Sequence, residues 1–182
     1  MSAGPLRGGR VLLRPATADD IPALAAIRRT PEVRLRWRGG EDMAAEVAVD
    51  LAEPDSTSLA IEFAGRVVGA IQWSEETEPD YRHATMDIYL DPAVHGRGVG
   101  TDAVRTLARW LIEERGHHRL EIDPAADNAG AIRCYTKVGF RPVGILRSNE
   151  RSADGSWRDS LLMDLLAEEL TQGADGSSGG NP

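Results

Sequence analysis

The chain has 182 residues, 41% of them hydrophobic, enough to bury one core and too few for a second domain of ordinary size. Its 21 basic and 29 acidic residues give a net charge of −8, which argues against nucleic acid as a partner and favours cationic ones. A single cysteine, Cys134, excludes an internal disulfide, and no apolar run approaches the roughly 20 residues that span a bilayer. The N-terminus lacks the basic-then-apolar pattern of a secretory signal, so we expect a soluble cytoplasmic protein, monomeric or homodimeric, with no membrane partner.

Gly9 to Pro15 reads as an opening strand. Thr17 then caps a helix through about Arg29, with Asp19 and Asp20 in the first turn, where carboxylates suit the helix dipole. Asp42 to Leu51 reads as a second helix. Leu59 to Phe63, a Gly65 turn and Val67 to Trp73 make a hairpin, followed by an acidic connection and a fourth strand from about Thr85 to Leu90. Thr101 to Glu114 carries Ala103, Val104, Leu107, Ala108, Leu111 and Ile112 at helical spacing. Arg119 to Ile122 is a short strand, Ala129 to Val138 is a helix ended by Gly139, and Phe140 to Leu146 and Asp159 to Leu166 close the sheet. This alternation predicts a single α/β domain over residues 1–170. The Gly- and Ser-rich residues 171–182 have nothing to bury and are expected to be disordered.

The densest chemistry lies between Asp87 and Tyr135. A strand-like Met86-Asp-Ile-Tyr-Leu90 run is followed by His95-Gly-Arg-Gly-Val-Gly-Thr101, which opens an amphipathic helix. Gly96, Gly98 and Gly100 let backbone N–H groups approach an anion closely, and the positive end of the helix dipole points at the same place. The pattern predicts a pyrophosphate cradle. It lacks the Lys-Ser/Thr ending of a nucleoside-triphosphate loop, and it fits the dinucleotide fingerprint only in part, with no acidic residue about 20 positions on.

Taken as x-x-Gly-x-Gly before a helix, and paired with Asn128-x-x-Ala-Ile-x-x-Tyr135-x-x-x-Gly-Phe140, the loop resembles the GNAT superfamily of acetyl-CoA-dependent N-acetyltransferases. The resemblance runs from Arg10 to Leu170. It implies a mixed, mostly antiparallel sheet flanked by helices and splayed at an acetyl-CoA cleft, the gap lying between the strands ending near Leu90 and Ile122. It also implies that His95, Gly96, Arg97, Gly98, Val99, Gly100 and Thr101 hold the coenzyme phosphates. Backbone groups near Tyr89 and Leu90 would hold the pantetheine arm and polarise the thioester carbonyl, Asn128 would bond the arm, and Tyr135 would stand beside the sulfur as general acid. His95 occupies a position where the superfamily usually has Arg or Gln, and Arg97 can supply charge there.

Four further segments resemble, in the same order, those of aminoglycoside 6′-N-acetyltransferases: Trp37-Arg-Gly-Gly-Glu-Asp42, Glu75-Glu-Thr-Glu-Pro79, Met86 to Leu90, and Ile122-Asp-Pro-Ala-Ala-Asp-Asn128. This narrower resemblance implies direct transfer to an aminoglycoside amine, the 6′-amine, and hence antibiotic resistance. A substrate with several ammonium groups needs dispersed carboxylates and an aromatic wall. Glu76, Asp87 and Asp123 are candidates for the first, Trp37 and Trp73 for the second, and Asp154 could reach the substrate from a late loop. Asp87 is the candidate general base, or it holds the ammonium in place. Plainer readings remain for several of these: Glu75, Glu76 and Glu78 as a solvated loop, Asp123 as a turn residue, Asn128 as a helix cap and Tyr135 as a packed ring. Arg38 stands in place of a second aromatic of that family. An enzyme acting on a protein N-terminus or another small amine, and a non-catalytic acetyl-CoA-binding module, are the other readings. His83, His95, His117 and His118 show no metal-ligand spacing, so no metal is expected, and Cys134 reads as a buried helix thiol.

Overall fold

In the computed structural model, which describes residues 4–37, 39–152 and 154–170, eight strands form one sheet in the order β1-β2-β3-β4-β5-β6-β8-β7. The strands are β1 (Leu6–Arg7), β2 (Leu12–Pro15), β3 (Thr57–Phe63), β4 (Arg66–Glu76), β5 (His83–Leu90), β6 (Arg119–Ile122), β7 (Arg141–Arg151) and β8 (Trp157–Leu166). The helices are α1 (Ile21–Arg28), α2 (Pro31–Arg36), α3 (Met43–Ala52), α4 (Val99–Glu113) and α5 (Ala129–Val138). Every strand pairing is antiparallel except that of β5 with β6.

Period-two burial in the strands and helical periodicity in α4 meet on one face of the sheet. Ala103, Val104, Leu107, Ala108 and Leu111 of α4 pack with Leu13, Leu59, Ile61, Ile71, Leu120 and Leu165, all fully buried. Each buried Leu or Ile is worth about 1.5–3 kcal/mol, so this face dominates the stability of the domain. On the opposite face Leu24, Ala25 and Ile27 of α1 and Met43 and Val47 of α3 pack with Ala70 and Tyr89. Asp102 in the first turn of α4 accepts hydrogen bonds from the N–H groups of Gly9, Arg10 and Val11, which pins the turn between β1 and β2 to the start of that helix.

The sheet opens where β5 meets β6. Their pairing is limited to Ala84 with Leu120 and Thr85 with Glu121. Beyond Ile122 the chain follows β8 instead: Ala125 bridges Ser160, and the Leu161 N–H donates to the Pro124 carbonyl at 2.8 Å. Among the described residues Met86 to Leu90 therefore pair with no strand on that side, and the gap lies between the strands ending near Leu90 and Ile122, as the resemblance implies.

Several boundaries differ from the sequence expectation. The opening strand is shorter, Leu12–Pro15, and pairs with the unanticipated β1, so the expected fourth strand is the fifth. The unanticipated α2 follows directly on α1; it starts at Pro31, whose fixed φ suits a first helical position, and ends on Arg34 and Arg36, whose charges suit the C-terminal dipole. β7 continues past Leu146 to Arg151, through polar residues that alternation did not mark as strand. Residues 171–182, and with them the expected tail, lie outside the described residues, as does Arg38.

Candidate active site

The splay opens into a cavity of about 810 Å³. One end is the glycine loop. Gly96 and Gly98 have φ of 71° and 79°, a left-handed backbone that side chains with a Cβ adopt at a cost, and Gly98 forms the N-terminal boundary of α4. At Gly100 a Cβ would lie 3.1 Å from Leu90 Cδ1 and 3.5 Å from Cys134 Sγ. His95, Gly96, Gly98, Val99, Gly100 and Thr101 line the cavity. Arg97 does not: its guanidinium stacks on the Phe63 ring at 4.9 Å. Cations do reach the cavity wall, from Arg133 and Lys137 on α5. A narrow cleft with one end built of open glycines, a helix N-terminus and basic side chains fits a long anionic coenzyme such as acetyl-CoA.

Backbone orientation on β5 follows from two bonds. The Asp91 N–H donates to Val68 O at 2.7 Å, on the β4 side, while the Ile88 N–H donates to the Asp87 carboxylate at 2.9 Å. Backbone groups alternate along an antiparallel strand, so Leu90 turns its N–H and carbonyl toward the splay. The His95 ring nitrogen Nε2 lies 3.3 Å from that Leu90 carbonyl. Tyr89 turns its backbone toward β4, so close that a Cβ on Gly69 would stand 2.2 Å from its carbonyl oxygen. Of the two residues expected to hold the coenzyme arm by their backbones, only Leu90 is so oriented; Tyr89 lines the cavity with its ring, stacked edgewise on Trp37 at 4.8 Å.

Asp87, Asp123, Asn128 and Tyr135 converge on the same cavity. Asp87 is open to the solvent that fills the cleft but is otherwise surrounded by protein. Desolvation by the protein crowded around the cleft pushes its carboxyl up to about 7 although the residue is exposed to the cleft; the Ile88 N–H opposes the rise, and the charges of Asp123 and Glu150 add to it. Asp123 is also raised, by burial first and by Glu150, against a hydrogen bond from Asn149 Nδ2 at 3.0 Å. Tyr135 is 5% exposed, and burial followed by the Asp87 charge holds its hydroxyl proton well above the ordinary phenol range. Asn128 Oδ1 caps α5 by accepting from Ala131 N at 3.3 Å, which leaves its two amide N–H groups for other partners.

Other expected site residues lie elsewhere. Glu76 is exposed and opposite His83, at the far end of β5 from Leu90, and accepts from Glu78 N. Its neighbour Glu75 binds Arg115 and His117; burial opposes its ionisation, and these two partners outweigh that to lower its pKa. Trp73 is core, packed on Trp110 at 5.5 Å. Asp154 is spent on a tight turn, accepting from Ser156 N and Oγ, and those bonds lower its pKa. Glu76 enters the expected site through the resemblance of residues 75–79, and the plainer reading of a solvated loop agrees with its exposure, since a segment match does not reveal which end of a strand meets the cleft.

In their place the cavity gains Asn149, Glu150 and Arg158 from the β7–β8 hairpin and Arg36 from α2. The available signal was the opposite charge of Glu150 and Arg158, which are cross-strand partners on either side of the hairpin turn. Cys134 also borders the cavity, its thiol pushed up by burial and 3.4 Å from Thr101 Oγ1. Among the described residues no group of His, Cys, Asp or Glu is arranged to hold a metal ion, and no helix is long and apolar enough to cross a membrane.

Known proteins share this arrangement. The acetyltransferase (GNAT) domain family matches residues 10–141. A protein of Bacillus subtilis (strain 168) named Probable N-acetyltransferase YjcK is 30% identical over 101 residues, 56% of this chain, so the chain matches about half (55%) of that relative's length. Aminoglycoside N(6′)-acetyltransferase type 1 of Klebsiella pneumoniae is 27% identical over 162 residues, 79% of this chain and 80% of that protein. Among solved structures, Mycobacterium smegmatis RimJ in complex with CoA-disulfide has a TM-score of 0.78 and 26% identity, covering 94% of this chain and 90% of that one. AAC(6′)-Ib in complex with Parmomycin and AcetylCoA has a TM-score of 0.73 and 26% identity, covering 91% and 99%. A family match across most of the chain, on a sheet splayed at a glycine-loop cleft, makes this chain a member of the GNAT acetyltransferases, N-acetyltransferases whose acetyl donor is acetyl-CoA.

Proposed function

We propose that this protein acetylates an amine of an aminoglycoside, the 6′-amine, by direct transfer from acetyl-CoA in the cytoplasm, and so confers resistance. The observation that carries this reading is the Asp87 carboxylate, which stands at the splay with its pKa raised to about 7 and with Asp123 and Glu150 facing the same cavity. A group titrating near neutrality is matched to taking a proton from an ammonium at working pH. Asp123 offers a further carboxylate to a substrate with more than one cation, Glu150 being paired with Arg158, and Trp37 offers an aromatic wall. Two relatives act in support: one is named an aminoglycoside N(6′)-acetyltransferase, and AAC(6′)-Ib was solved in complex with Parmomycin and AcetylCoA.

Bound acetyl-CoA supplies the thioester. Gly96, Gly98 and Gly100 admit its phosphates to the backbone, and the Leu90 N–H donates to the carbonyl oxygen, where negative charge develops. Asp87 takes the amine proton as the new N–C bond forms. Tyr135, lining the same cavity, delivers its hydroxyl proton to the sulfur as the C–S bond breaks; burial keeps that proton in place until the thiolate forms, at the cost of making the phenol a weaker acid. Acetylation of a protein N-terminus or another small amine is the second reading, favoured by the position of Glu76 outside the cavity, which thins the acidic set.

A panel assay separates the two. Acetyl-CoA consumption is followed with kanamycin-like and gentamicin-like aminoglycosides, a peptide with a free N-terminus and simple monoamines. The proposal expects turnover with at least one aminoglycoside class; turnover confined to the peptide or monoamines would replace it with the second reading.

A further inference from the structure

The acceptor side of the cleft is tied together by one side chain. Arg158 of β8 donates through Nη1 to the Leu35 carbonyl at 2.9 Å and through Nη2 to the Arg36 carbonyl at 3.0 Å, bonds that cross the cleft to the C-terminus of α2. With Nε and Nη2 the same guanidinium grips both carboxylate oxygens of Glu150. The Arg158 side chain is only 15% exposed, and its charge-assisted bonds to Arg36 and Glu150 are part-buried, while that to Leu35 faces solvent. α2 needs such a tie. It is six residues long, contributes only Val33 to the core, and leads directly into Trp37, whose ring stacks on Tyr89 at 4.8 Å. A guanidinium on its last carbonyls meets the negative end of the helix. Arg36 adds an ion pair to Asp127 across the same gap.

We propose that Arg158 is the positioning residue of the acceptor site, holding the Trp37 end of α2 and the Glu150 carboxylate in one arrangement over the cavity. The consequence for the substrate amine rests on the acetyltransferase reading above; the consequence for α2 does not. Asp87 is faced by Asp123 after β6, Tyr135 on α5, Glu150 on β7, Arg158 on β8 and, across the cavity, Glu32 and Arg36 of α2. Removing the Arg158 charge leaves Glu150 unbalanced in that set, which raises the proton affinity of the Asp87 carboxylate; removing the Glu150 charge lowers it.

The test compares Arg158→Gln and Glu150→Gln with the parent, each saturated with acetyl-CoA. In Arg158→Gln, hydrogen exchange of the amides of residues 32–37 should quicken by about tenfold or more, the scale of losing bonds to a charged donor, whereas Glu150→Gln, which keeps the carbonyl bonds, should leave it unchanged. The amine KM of Arg158→Gln should rise about tenfold or more with acetyl-CoA affinity held within about twofold. The acidic limb of kcat/KM should move to higher pH in Arg158→Gln and to lower pH in Glu150→Gln. Unchanged exchange in Arg158→Gln, or faster exchange with KM and pH profile unmoved, would overturn the proposal. Should the parent protein use a peptide amine and no aminoglycoside, the functional reading falls while the exchange comparison still decides the role of Arg158, and the KM comparison is made with the amine that is used.

Discussion

At Asp87, the proposed base, the raised carboxyl pKa works against the fold. Burial holds its carboxyl up to about 7 in the native protein, while in the unfolded chain it ionises near the ordinary carboxylate value of about 3.9. Between those two values the native state keeps a proton that the unfolded state has released, so the contribution of Asp87 to stability is present below about pH 4 and is lost as pH rises through about 7. Asp87→Asn cannot ionise and escapes that loss. Thermal unfolding should show the variant gaining on the parent between pH 4 and pH 8; a difference in melting temperature that does not change with pH would contradict the raised pKa of this carboxyl. Tyr135 behaves otherwise. Its proton is held well above the ordinary phenol range, so no alkaline limb from this residue should appear within the usual assay range, and Tyr135→Phe should lower turnover without reshaping the profile below pH 9.

Among the elements, the glycine loop makes the sharpest demand on the sequence. Gly98 has a left-handed backbone, and a side chain on Gly100 would crowd Leu90 and Cys134, so Gly98→Val and Gly100→Val should each abolish acetyl-CoA binding by calorimetry. Affinity retained by both variants would remove the loop from the coenzyme site. This loop was legible in the sequence because it is local: its glycines, the start of its helix and its lining of the cavity all fall between His95 and Thr101. β6 and α5 were legible for the same reason, each bounded by its own turn and cap residues. Long-range partners were not. Glu76 and Asp87 lie on adjacent paired strands, yet only Asp87 reaches the cleft, and that depends on which end of β5 loses its neighbour. Glu150 and Arg158 look in sequence like ordinary hairpin charges; the carbonyls of Leu35 and Arg36, more than 100 residues away, give Arg158 its second role.

For the whole molecule, the sheet divides the work: β1 to β5 with α4 form a continuous buried platform, and β6, β8 and β7 diverge from it to leave the cleft. A net charge of −8 attracts cations to the molecule as a whole, and at the cavity Asp87 and Asp123 are the carboxylates offered to one, Glu150 being held by Arg158; salt screens this attraction over about 8–10 Å. The KM for a polycationic substrate should therefore rise with ionic strength more steeply than that for a singly charged amine, measured in one buffer series; equal slopes would mean that the acidic wall does not recognise charge. The claim on which the rest depends is that Asp87 takes the proton from the acceptor amine. It is tested most directly by kcat/KM against pH for the parent and Asp87→Asn, with the best aminoglycoside of the panel. The account predicts a parent activity that climbs through a limb near pH 7, and a variant that is slower by ~10²–10⁴-fold, lacks that limb and binds acetyl-CoA normally. Equal turnover and the same acidic limb in both proteins would contradict it.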